Sequence, residues 1–290
     1  MNLLIITPTP IYPLNSGGAQ AQFNMIDQLR EKHNITIVYI ENRYGEKEAI
    51  NTLKELWPNV KFHTYSIWAQ LTYWKYIYEK GKRAFQILTK KRKKKFIIER
   101  IIKPYGIYFP PRFINFINNI ITKENIDTIQ VEFYPCLDLI NYINVKVQKI
   151  FVHHEIRFVR NKRYLASFQL SEKEKELFNK IKTKEINDLN KYDTIITLTN
   201  KDKDILRENN VKTKIIVSPA AIKTNIHPYK TWNHKIIFLG GYGHIPNIEG
   251  FNWFIGNIIS KMSTTDLNNS CIHIIGKGWP ESLIANYNKK

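Results

Sequence analysis

Short apolar runs alternate with amphipathic stretches along most of this 290-residue chain. Buried parallel strands read as short runs of this kind, and the stretches between them carry apolar residues at helical spacing. The runs are Leu3–Thr7, Ile35–Ile40, Val60–Tyr65, Thr128–Glu132, Lys149–Val152, Thr194–Leu198 and Lys214–Val217. Helical stretches such as Ala19–Glu31 and Glu46–Leu56 separate them. The alternation predicts an α/β fold with a doubly wound parallel sheet.

The same pattern predicts a domain organisation. Residues 1–220 form a Rossmann-like domain, interrupted by a helical insert at about 66–123 that is rich in Tyr, Trp, Lys and Phe. Residues 221–233 contain proline and lack periodicity, as expected of a linker. Residues 234–290 restart the pattern with two strands, which bury too little apolar surface for an independent domain. We therefore expect a second Rossmann-like domain that is incomplete, so that the chain is either a fragment of a complete enzyme or a degenerate remnant.

Composition restricts the compartment and the partners. No signal peptide or membrane-spanning run occurs, and Cys136 and Cys271 form no disulfide framework, so we expect a cytoplasmic protein. The formal charge of +19 favours polyanions such as anionic lipid, nucleic acid or phosphorylated substrates. A compositional preference for Lys, Ile and Asn is the alternative explanation for the charge.

One basic tract stands out. It comprises Lys90, Lys91, Arg92, Lys93, Lys94 and Lys95. Aromatic side chains lie on both sides of it, and such a cluster beside an amphipathic helix is typical of a segment that binds an anionic membrane surface. Nucleic acid would also satisfy this charge, and ordinary surface charge is the third interpretation. We expect membrane rather than nucleic acid.

The loop after the first strand ends in Gly17 and Gly18, where the first helix begins. Adjacent glycines at a helix N-terminus let a phosphate or sugar approach backbone N–H groups. The loop matches neither the G-x-G-x-x-G pattern nor a P-loop, so a nicotinamide site and an NTPase site are both disfavoured. A plain flexible loop is the alternative.

A second candidate follows the strand that ends near Val152. His154 could carry a proton or bind a substrate hydroxyl, and Glu155, Arg157 and Arg160 could contact an acceptor or a phosphate. The alternatives are a packing histidine and a solvated helix face. We expect no metal site, because adjacent side chains of an extended segment point apart and no third ligand is evident.

Glycine turns also follow the two late strands. Gly240 and Gly241 come after Ile236–Leu239, with Asn247 a few residues on, and Gly276-Lys277-Gly278 follows the last strand. Each turn has the geometry that admits a phosphate.

In this order, the motifs resemble those of the GT-B-fold glycosyltransferases of family 4. Besides the glycine turns, the resemblance rests on His154-Glu155, Glu185–Thr199, Val217–Ala221 and Pro246-Asn247. It implies transfer of a sugar from a UDP- or GDP-sugar to a glycan or lipid-linked acceptor, with retention, without an obligatory metal or other cofactor, and at the inner membrane face. It also implies that His154 is catalytic and that Gly17, Gly18, Gly240, Gly241 and Asn247 bind the donor.

The chain departs from the family pattern in two respects. Gly241 stands where many members have arginine, and the paired glutamates that grip the donor would fall beyond residue 290. Activity of this chain alone is therefore in question. The alternative hypotheses are a basic module that binds nucleic acid or anionic membrane, and an inert remnant.

Overall fold

The computed structural model describes residues 1–41, 46–66, 98, 101–102, 109–221 and 235–283. The chain divides into two compact units, Met1–Lys223 and Thr224–Lys290. The basic tract at 90–95, most of the insert expected at 66–123, and all but residue 221 of the expected linker lie outside the described residues.

The first unit contains a seven-stranded sheet in which every neighbouring pair is parallel, in the order β3-β2-β1-β4-β5-β6-β7. Its strands are β1 Asn2–Thr7, β2 Asn34–Glu41, β3 Lys61–Ser66, β4 Thr128–Glu132, β5 Gln148–His153, β6 Thr194–Thr197 and β7 Lys214–Val217. The predicted doubly wound sheet is confirmed, and each predicted strand is present within one residue or two.

Apolar side chains cover both faces of this sheet, which is why its strands read as unbroken apolar runs. Successive residues of β1 point to opposite faces: Leu4 and Ile6 enter one core cluster, and Leu3 and Ile5 enter the other. Trp57, which is 1% exposed, fills the second cluster, and its indole Nε1 donates a hydrogen bond to Asp27 at 3.0 Å.

The helices of the first unit cross between these strands. Those with bounds in the described residues are α1 Gly17–Leu29, α2 Glu46–Leu56, α3 Pro111–Lys123, α4 Arg157–Leu165, α5 Glu172–Leu189 and α6 Asn200–Glu208, with a 3-10 helix at Tyr134–Asn141. A capping box begins α5, because Ser171 Oγ accepts from Glu174 N at 3.3 Å and Glu174 Oε2 accepts from Ser171 N at 2.8 Å. Among the helices in these ranges, none has the length and apolar character needed to cross a bilayer.

The second unit has a parallel pair, β8 Lys235–Leu239 and β9 Cys271–Ile275. Helices α7 Ile245–Asn257 and α8 Thr264–Asn269 connect them, with a 3-10 helix at Ile259–Lys261. Phe238 packs edge-on against Phe251, which is 2% exposed. Alternate residues of both strands are exposed, so one face of the pair is partly covered and the other is exposed.

Candidate active site

The candidate active site lies at the carboxyl ends of β4 and β5. These strands are parallel neighbours, and their register pairs Glu132 with Val152. His154 therefore follows β5 close to the point where Glu132 ends β4. Ligands of doubly wound sheets bind at this edge, because strand ends and helix N-termini converge there.

Glu132 is a fully buried carboxylate with a partner on each oxygen. The amide nitrogen of Gln130 donates to Oε1 at 2.5 Å, and Nε2 of His154 lies 2.5 Å from Oε2. The side chain of His154 is 11% exposed, whereas that of Glu132 is 0% exposed. A buried carboxylate that binds one ring nitrogen of a histidine orients the ring and fixes which nitrogen faces outward.

Phe133 holds the histidine ring from its face. Its ring stacks on that of His154 with centroids 4.0 Å apart and planes 12° apart. Its backbone has φ of 62°, which is unfavourable for a residue with a bulky side chain. Such strain persists only where surrounding contacts determine the conformation, and it is frequent at functional sites.

The glycine loop reaches the same ring. A Cβ placed on Gly18 would come 3.3 Å from Cζ of Phe133, whereas one on Gly17 would meet no atom within 4 Å. Gly17 begins α1, and the side chain of Ser16 accepts from Ala19 N at 3.2 Å as the N-cap. The first-turn N–H groups of this helix point toward the carboxyl edge of the sheet. Gly18 and His154 thus both lie beside the ring of Phe133.

The two predicted arginines converge on one aromatic ring. The guanidinium carbons of Arg157 and Arg160 each lie 4.9 Å from the ring centroid of Tyr134. Arg160 also forms an ion pair of 2.6 Å with Glu155. Arg157 is 6% exposed, so packing rather than solvation determines its position.

A buried histidine and glutamate lie beneath this region. Oε1 of Glu185, on α5, accepts from the backbone N–H of Arg157 at 3.1 Å and lies 3.8 Å from Nε2 of His153. Burial raises the pKa of Glu185 to about 7, although hydrogen bonds to the start of α4 and the charge of Arg157 act to lower it. Burial also lowers the pKa of His153 to about 3, with a smaller effect from His154.

The glycine turns of the second unit are held by a hydrogen-bond network. Gly240 N donates to Ile275 O at 2.8 Å, and the indole Nε1 of Trp279 donates to Gly240 O at 2.7 Å. The side-chain amide of Asn247 donates to Gly241 O at 2.9 Å. Asn247 therefore braces the turn, and its amide nitrogen is engaged by the backbone.

Several residues of the site were not among the sequence predictions. They are Gln130, Glu132, Phe133, Tyr134 and Glu185. A carboxylate at the end of an apolar strand was a usable signal for Glu132 and for Phe133, which follows it. Glu185 carried no such signal, because it lies in a charged helix that reads as solvated. Over the described ranges, no group of three or more His, Cys, Asp or Glu side chains is arranged to hold a metal ion.

Structural comparison relates the chain to solved glycosyltransferases. The crystal structure of TarM matches with a TM-score of 0.55 and 12% identity, covering 99% of this chain and 74% of TarM. A mutant of S. aureus TarM in complex with fondaparinux, alpha-GlcNAc-glycerol and UDP matches with a TM-score of 0.52, 12% identity and the same coverage. The fold is GT-B-like.

Phytolacca americana UGT2, solved with UDP-2-fluoro-glucose and pterostilbene, has a TM-score of 0.49 and 9% identity, covering 97% of this chain and 72% of its own. Neither a scan of protein-family models nor a search of curated protein sequences gave a match. At these identities the structural likeness concerns the fold alone, and membership of family 4 stays a prediction.

Proposed function

We propose that this protein is a glycosyltransferase that transfers a sugar from a UDP- or GDP-sugar to a glycan or lipid-linked acceptor, with retention of the anomeric configuration. The position of Gly18 beside Phe133, whose ring stacks on His154, carries the proposal, because it brings together the loops that follow three adjacent parallel strands. The fold supports it, as do the UDP and the glycans held by the TarM mutant.

The proposed donor contacts are backbone groups at glycines. A phosphate near Gly17 and Gly18 would accept hydrogen bonds from backbone N–H groups and be stabilised by the positive end of the α1 dipole. Gly240, Gly241 and Asn247 are the other proposed donor-binding residues. The Asn247 amide would act there by fixing the carbonyl of Gly241.

His154 is the proposed catalytic residue, in contact with the transferred sugar as it leaves the nucleotide. Negative charge on the leaving group would be met by backbone dipoles and basic side chains, and we expect turnover without an added metal or other cofactor. Arg157 and Arg160, with Glu155 paired to Arg160, would contact the acceptor or a phosphate on it.

The proposed setting is the cytoplasmic face of a membrane, where polysaccharide precursors are lipid-linked. The +19 formal charge and the basic tract at 90–95 support association with anionic lipid. Sedimentation with phosphatidylserine vesicles tests this point: binding should weaken steeply with salt and fall when the six basic residues of the tract are replaced by glutamine. Equal binding by the substituted protein would contradict it.

The decisive experiment for the enzyme is a panel of UDP- and GDP-sugars assayed by nucleotide release and by glycan product. His154→Ala should lower kcat by roughly 10²-fold, the usual effect of losing one group that acts on the transition state. His63→Ala is the matched control, because His63 also binds a glutamate, Glu124, through Nε2 at 3.0 Å. It should leave turnover unchanged.

Other outcomes favour other functions. Salt-sensitive binding to nucleic acid or vesicles with no response to any sugar nucleotide would favour a basic binding module. A folded protein with neither property would be an inert remnant. Equal turnover by wild type and His154→Ala would remove the catalytic assignment.

A further inference from the structure

The pairing of Glu132 with His154 has a consequence for the chemistry of the histidine ring. Only Nε2 of the imidazole faces the buried carboxylate, at 2.5 Å from Oε2. The other oxygen of this carboxylate accepts from the amide of Gln130, and a carboxylate has only acceptors, so the proton between the two groups belongs to the ring nitrogen. Nε2 then donates, and in the neutral ring Nδ1 is left as a hydrogen-bond acceptor.

We propose that Glu132 is a positioning residue that keeps the proton of His154 on Nε2 and so presents Nδ1 as an acceptor for a hydroxyl of the transferred sugar. The sugar contact rests on the proposed function; the tautomer does not. The acceptor role would make the site selective for a sugar that bears a hydroxyl at the position facing Nδ1, because an analogue without it leaves the nitrogen unpaired.

Two further contacts prevent the ring from presenting its other edge. Phe133 covers one face of the imidazole at 4.0 Å and is itself backed by Gly18. Glu132 cannot turn away, because the amide of Gln130 donates to its Oε1 at 2.5 Å and the side chain is fully buried. The ring is therefore held by its edge and by its face.

Gln130 also determines what an isosteric change at Glu132 would do. In Glu132→Gln the new amide oxygen would stay toward the amide nitrogen of Gln130, since two NH₂ groups cannot face one another. The new NH₂ would then point at His154 and donate to Nε2. The ring proton would move to Nδ1 with little change in shape, which converts the acceptor on the open edge into a donor.

The test is a two-bond ¹H–¹⁵N correlation spectrum of the histidine rings of the full chain, at a pH where His154 is neutral. Loss of signals in His154→Asn assigns the residue. Wild type should show the unprotonated nitrogen at Nδ1, and Glu132→Gln should show it at Nε2. Glu124→Gln is the matched control: it should alter the signals of His63 and leave those of His154 unchanged.

The kinetic readout is separate from the spectrum. Glu132→Gln should lower kcat by roughly 10²-fold, with a smaller change in KM for the sugar nucleotide, as expected when a reacting group is misoriented. Among mono-deoxy sugar nucleotides, one should be turned over more slowly than the parent donor by wild type. The Glu132→Gln variant should turn over this analogue and the parent donor at similar rates.

The wild-type spectrum alone determines the tautomer, so the proposal can be tested even if Glu132→Gln folds poorly. An unprotonated Nε2 in the wild-type ring would overturn it, as would a Glu132→Gln protein with the wild-type tautomer. Absence of turnover by wild type would contradict the proposed function and the sugar contact, and would leave the tautomer result standing on its own.

Discussion

The phenyl ring of Phe133 lies parallel to the imidazole of His154, with centroids 4.0 Å apart, and its far edge faces Gly18. One side chain thereby joins the loops that follow β1, β4 and β5. The left-handed backbone at Phe133 turns the chain so that its ring lies across these loops. Position and strain together make Phe133 a sensitive point for substitution.

Replacing Phe133 by leucine should loosen His154 without removing it. The stacked pair contributes about 0.5–1.5 kcal/mol beyond its buried area, so the melting temperature should fall only modestly. Turnover should fall by more than that loss of stability explains, because the ring of His154 gains freedom. Phe116→Leu, which removes a ring packed edge-on against His63, serves as the control and should leave turnover unchanged. Wild-type turnover in the leucine variant would argue against a role for the stack.

Gly18→Ala should displace the Phe133 ring. The added Cβ would lie 3.3 Å from Cζ, so the ring must move by a few tenths of an ångström. The ring-current shift that Phe133 imposes on the His154 protons should change accordingly in the NMR spectrum. Gly17→Ala adds the same group one residue earlier, where no atom lies within 4 Å, and should leave those signals in place.

Glu185 should make the protein less stable as pH rises. In the unfolded chain its pKa is 4.5, and in the folded chain it is about 7, so the unfolded state releases its proton first. The stability from this residue is fully present below about pH 4.5 and is lost by about pH 7, a change on the order of 3 kcal/mol. Urea unfolding at several pH values, compared with Glu185→Gln, measures it. Parallel curves for the two proteins would contradict the prediction.

His153 should act in the opposite direction. Its pKa is 6.5 in the unfolded chain and about 3 in the folded protein, so the unfolded state binds a proton first as pH falls. Stability from the buried neutral ring is present above about pH 6.5 and is lost toward pH 3. His153→Gln should remove this acid sensitivity in the same urea series. Between about pH 4.5 and 6.5 the two residues oppose each other, so wild type should vary least there.

Gly276→Ala should disrupt the glycine turns of the second unit. A Cβ at Gly276 would lie 2.1 Å from the carbonyl oxygen of Gly240, which has no room to move while Gly240 N bonds Ile275 O. We expect a loss of roughly 2 kcal/mol or more, seen as faster amide hydrogen exchange in β8 and β9.

The matched control for that substitution is Gly250→Ala. Gly250 lies within α7, and an added Cβ there would meet no atom within 4 Å. Alanine at this position should stabilise the helix by up to about 1 kcal/mol and slow exchange. Equal effects of the two substitutions would show that the Gly276 contact is unimportant.

Much of the fold was readable from local pattern. Parallel strands that are buried on both faces carry apolar residues on both, so runs such as Leu3–Ile6 and Ile195–Ile196 can be assigned as strands from the sequence. The capping box at Ser171 and Glu174 was predictable because both partners lie within one helical turn. Gly18 and His154 were singled out because strand ends and the loops after them are the ligand-binding edge of such a sheet.

The partners of these residues came only from the tertiary structure. A carboxylate at a strand end marks Glu132 as a candidate, but only the β4–β5 register sets it beside His154, 22 residues away. Glu185 reads as a solvated helix residue until α5 packs it under the start of α4. Periodicity along a chain determines which face of an element is buried. Which polar groups then meet depends on strand order and crossing helices, and neither is encoded in any local stretch of sequence.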